Sequence, residues 1–67
     1  MELTKRQAEV AERVAKGFSS KRIAHDLGLA TRTVEEHIRV AAERLPGDGT
    51  PRHRIFLWFF HIGDVDN

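Results

Sequence analysis

The sequence predicts an all-α domain of four helices, and three observations carry that prediction. Apolar residues recur at three- and four-residue spacing, the signature of one buried face on a helix. Glycine or proline stands where that spacing breaks, at Gly17, Gly28 and residues 46–49. The segments between the breaks open on residues able to cap a helix. Sixty-seven residues are read as one domain, residues 1–67, with helices at about 5–16, 20–27, 31–45 and 51–62. A chain of this length buries only about 60% of the surface its unfolded form exposes, so support from a partner chain is expected.

The first helix starts at Thr4, which can cap, with Gln7 placed to reach back as in a capping box. Val10, Ala11, Val14 and Phe18 share its inner side, Glu9, Glu12, Arg13 and Lys16 its outer side, and Gly17 ends it. The second helix is about two turns long, begins at Ser19, turns Ile23, Ala24 and Leu27 inward and closes at Gly28, with Leu29 as a plug under the turn. The third starts near Ala30 or Thr31 and buries Val34, Ile38, Ala41, Ala42 and Leu45. Thr50–Pro51 opens the fourth, a cap followed by proline at the first helical position, where a missing amide costs nothing. That last helix is apolar nearly all round. Ile55, Trp58, Phe59 and Ile62 share one face, Phe56 and Phe60 point to another, and a second protein surface is expected against it.

Composition narrows the chemistry. Eleven Lys and Arg against ten Asp and Glu give a formal net charge of +1, which permits a nucleic-acid partner without requiring one. Lys16, Lys21, Arg22, Arg32 and Arg39 cluster mid-chain, while Glu2, Glu9, Glu12, Asp64 and Asp66 lie toward the ends, so the expectation is a basic middle flanked by acidic ends. With no cysteine, a disulfide framework, a thiolate zinc site and a cysteine nucleophile are excluded. His25, His37, His53 and His61 lack short metal-ligand spacing, and Ser19 and Ser20 read as a helix start with no positioned base, so neither a cofactor nor enzymatic activity is expected. No apolar signal segment follows Met1, and the apolar run 55–60 is far too short to cross a bilayer, so the expected location is the cytoplasm, with no membrane partner.

Two short helices joined by a glycine turn, the second longer and polar on its outside, have the layout of a helix-turn-helix. In that motif the second helix enters the major groove while the first sits across its end and touches the backbone. The residues Leu3-Thr4, Arg6, Glu9-Val10, Ala15, Gly17, Ser19, Lys21, Ile23-Ala24, Leu27, Leu29, Thr33-Val34, His37 and Leu45 resemble the LuxR-type, or GerE-like, helix-turn-helix family, over about residues 3–45. The likeness implies a four-helix DNA-binding domain whose third helix reads base edges and whose fourth mediates dimerisation.

It also implies roles for single positions. Glu35, Glu36 and Arg39 match positions that face bases, Ser20, Lys21 and Thr33 positions that approach phosphates, and Arg32 adds a cation beside them. Val34 and His37 match positions that fix the reading helix, His37 chiefly from inside. Ile55, Phe56, Trp58, Phe59, Phe60 and Ile62 are the candidate dimer or partner interface. The chain departs from the family in three places: paired carboxylates at Glu35-Glu36, Ala30 where a serine cap is usual, with Thr31 as a substitute, and a longer connection at residues 46–49. Glutamate accepts from the cytosine amino group, so the first departure is compatible with base reading. The expected function is a sequence-specific transcriptional regulator that binds double-stranded DNA as a homodimer. The alternative is a protein-interaction module, or anti-activator, that engages a larger LuxR-type regulator through the fourth helix.

Overall fold

The computed structural model describes residues 3–45 and 47–65, with side chains described as far as Phe60, and among these residues it is built of four helices. They are α1 (Lys5–Ala15), α2 (Ser20–Leu27), α3 (Thr31–Glu43) and α4 (Pro51–Val65). The all-α fold class is the one the sequence predicts.

The helix ends follow from local hydrogen bonding. Thr4 and Gln7 form the reciprocal capping box: the Gln7 amide donates to Thr4 Oγ1 at 3.1 Å, and the Thr4 amide donates to Gln7 Oε1 at 3.0 Å. At the other end of α1, Gly17 lies at φ +90°, and the Phe18 amide reaches back to the Arg13 carbonyl at 3.1 Å while the Gly17 amide reaches Val14 at 2.9 Å. This pair of bonds satisfies carbonyls that the helix leaves free and turns the chain toward α2. Ser19 caps α2 by accepting from the Arg22 amide at 3.1 Å, and Gly28 closes it in the left-handed conformation. Thr50 caps α4 through the His53 amide at 3.2 Å.

Three helix ends and one cap differ from the sequence reading, the end of α1 by a single residue, at Ala15. The third helix stops at Glu43, because the Arg44 and Leu45 amides bond to carbonyls only three residues back, tightening the last turn; Leu45 is still buried. Ala30 is the N-cap of α3 and makes no side-chain capping bond, while Thr31 is already helical, so Thr31 does not replace the missing serine. The fourth helix runs on to Val65.

The core joins all four helices: Val10, Ala11 and Val14 of α1, Ile23 and Ala24 of α2, Val34, Ile38 and Ala41 of α3, and Ile55 of α4, with Leu45 beneath them. Leu3, Phe18, Leu27, Leu29 and Trp58 pack around its edge. Packing of α4 on α1 and α3 leaves α2 and the outer side of α3 open along one side of the domain.

Candidate nucleic-acid interface

Five charged residues of α3, Arg32, Glu35, Glu36, Arg39 and Glu43, are exposed and fall at helical spacing along one outward stripe. The opposite side of the helix is spent on Val34, Ile38 and Ala41, so the core fixes which side faces outward. The chain thus presents an exposed helix held from behind by α1 and α2, the geometry that a major groove accepts.

Charge on this stripe is more balanced than a basic middle implies. Two arginines of α3 face three glutamates, and Arg39 is bound to two of them. Its Nη1 donates to Glu43 at 2.7 Å and its Nη2 donates to Glu36, so one guanidinium bridges a carboxylate one turn before it and another one turn after. The hydrogen bond to Glu36, then the charges of Glu36 and Glu43, raise Arg39 above the usual arginine value and keep it cationic. Arg22 is also engaged, with Asp26 at 3.3 Å and with the Phe18 ring, whose centroid lies 4.4 Å from the guanidinium carbon. Among the described residues, Lys21 and Arg32 have no carboxylate within ion-pair distance. Both are exposed at the starts of their helices and stand clear of internal neutralisation.

Lys21 and Thr33 are exposed near the starts of α2 and α3. Ser20 is buried, and its Oγ accepts from Arg52 Nη2 at 2.7 Å, so its hydroxyl is engaged within the domain. First-turn backbone amides are what that end of α2 can still direct at an anion. His37 is half-buried, at the core's edge, while Val34 is fully buried. Sequence reasoning missed Arg52, whose Nη1 also donates to the Phe18 carbonyl at 3.3 Å and so ties the start of α4 to the turn before α2. A lone arginine in the first turn of a helix carries no signal of a partner 32 residues away. The Glu36, Arg39 and Glu43 bridge was legible, since its spacings of three and four are those that meet on a helix.

The fourth helix separates into two sides. Ile55 is completely buried in the domain's own core, which removes it from the candidate interface. Trp58 and Phe59 are half-buried, whereas Phe56, Leu57 and Phe60 are 43, 48 and 53% exposed. The rings of Phe56 and Phe60 meet at a tilt of 55° with centroids 4.6 Å apart, and Phe59 meets Phe60 edge-on at 6.3 Å. Ile62 lies outside the residues whose side chains are described. Among the described residues no helix is long and apolar enough to cross a membrane.

Comparison with known proteins decides the family. The model of bacterial regulatory proteins of the luxR family matches residues 1–46, which include α1, α2, α3 and the glycine turns between them. The chain belongs to the LuxR family. As a LuxR-family helix-turn-helix, it is the DNA-binding domain type of a transcriptional regulator. It is 43% identical over 56 residues to the transcriptional regulatory protein UhpA of Salmonella typhimurium, a match covering 81% of this chain and 29% of that protein. It is 46% identical over 43 residues to UhpA of Escherichia coli, covering 64% of this chain and 22% of that protein. This LuxR-family chain therefore spans less than a third of the curated relatives it matches. No solved structure matches it significantly.

Proposed function

We propose that this LuxR-family domain binds double-stranded DNA in a sequence-specific way as a homodimer, with α3 in the major groove and the outer side of α4 as the dimer seam. The single observation that carries this reading is the exposed polar stripe of α3, held outward by a core that takes its other face. Glu35, Glu36 and Arg39 are assigned to base edges, where a carboxylate accepts from cytosine N4 and an arginine fork donates to guanine O6 and N7. Lys21, Arg32 and Thr33 are assigned to phosphates, together with the first-turn amides of α2, whose dipole favours an anion.

The seam is assigned to Phe56, Leu57 and Phe60, with half-buried Phe59 beside them. A contiguous aromatic patch on so small a domain is costly to leave in water. Two-fold association through it supplies two reading helices to one DNA site, so a weakly basic surface binds through the sum of two half-sites. A cytoplasmic location fits this role.

A second reading has one observation in its favour, the excess of glutamate over arginine on α3. In it the chain is an anti-activator that pairs through α4 with a larger LuxR-type regulator and leaves DNA unread. Gel-shift titration of duplex DNA with K21A/R32A and F60E variants separates the two. The DNA-binding homodimer predicts that both variants lose binding by tenfold or more. Full retention of binding by K21A/R32A contradicts it and favours the second reading.

A further inference from the structure

We infer that Glu36 and Glu43 hold Arg39 away from phosphates, so that this arginine is released to DNA only where a base edge replaces the carboxylates. The inference rests on the DNA-binding reading above and adds to it a specificity role for Glu43, a residue outside the base-facing set.

The geometry carries it. Both terminal nitrogens of the Arg39 fork are occupied by carboxylates of its own helix, on opposite sides along the helix axis. A fork bound in this way lies along the helix surface, already neutralised, and has little to gain from a phosphate, which would merely exchange one anion for another. All three side chains are more than half exposed, so the bridge is soft enough to open. A guanine edge offers two acceptors matched to the fork, while a neighbouring cytosine offers the amino donor that a freed Glu36 accepts. Correct sequence thus satisfies the arginine and its carboxylate together. Random sequence leaves both carboxylates facing the phosphate backbone, which penalises the wrong site. Among the described residues Lys21 and Arg32 have no such bridge, and they carry the sequence-independent attraction.

The test is the salt dependence of binding to a mixed-sequence duplex of about 30 base pairs, for the wild type, E43Q and E36Q/E43Q, each with Arg39 retained or changed to alanine. Each phosphate neutralised by a cation contributes about 0.9 to the slope of log affinity against log salt. With Arg39 retained, removal of the carboxylates is expected to strengthen binding several-fold and steepen the slope by up to about 0.9, most in E36Q/E43Q. With Arg39→Ala the slope is expected to stay that of the parent. An unchanged slope when Arg39 is retained overturns the inference, as does the same steepening in the Arg39→Ala background, where loss of negative charge alone would explain it. Absence of duplex binding by the wild type and every variant at low salt overturns the DNA-binding reading itself.

Discussion

Single residues decide where this chain turns, and Gly28 is the clearest case. It sits at φ +69° between α2 and α3, and a side chain built there would meet nothing within 4 Å, so the demand for glycine is one of backbone conformation alone. Gly28→Ala is expected to cost about 1 kcal/mol, which in a domain this small lowers the melting temperature by roughly 4–8 °C; an unchanged thermal melt contradicts that origin of the turn. Arg52 was invisible in the sequence because its bonds to Ser20 and Phe18 depend on how α4 lies across the domain. Gly17, Gly28, Thr4, Ser19 and Thr50 were legible, because their roles are set by neighbours within five residues. Ser20 shows the difference within one residue type: next to a cap in sequence, it is spent on a distant arginine.

At the scale of the helices, capping and face selection make opposite kinds of prediction. The third helix begins without a side-chain cap, although α1, α2 and α4 each have one. Ala30→Ser is therefore expected to stabilise the domain by about 1 kcal/mol, read as a raised midpoint in chemical denaturation; a lowered midpoint would mean the extended Ala30 backbone cannot present a hydroxyl to α3. Within α4, neighbouring apolar residues have unequal duties. Ile55 fills the core and Ile55→Ala is expected to cost about 2–5 kcal/mol, enough to unfold much of a small domain. Phe60→Glu is expected to lower the circular dichroism melt less than Ile55→Ala does, by no more than the loss of the dimer, while lowering the sedimenting mass from dimer to monomer. Equal damage to the melt from both variants contradicts the division of faces. Helical periodicity had already split this helix, yet only packing against α1 and α3 shows which side the domain keeps.

For the whole molecule, charge and assembly limit each other. A net charge of +1 gives the domain little long-range attraction to DNA, and the pairing of Arg39 and Arg22 with carboxylates reduces it further. The sequence suggested a basic centre because it counted cations along the chain; side-chain pairing within α2 and α3 returned much of that charge to neutrality. Useful affinity in this account comes from two domains acting on one site and from base contacts that release Arg39. The LuxR-family fold was readable from spacing and caps, and the Arg39 bridge from its three- and four-residue spacings, whereas the burial of Ser20 against Arg52 required the packing of α4.

The most direct test is selection from a random duplex pool by the wild-type chain at low salt, followed by sequencing of the bound DNA. Enrichment is expected of a two-fold symmetric site whose half-sites contain adjacent G·C pairs and lie one helical turn, or a multiple of it, apart. Recovery of DNA with no enriched sequence, at protein concentrations that shift the pool, would contradict sequence reading by α3.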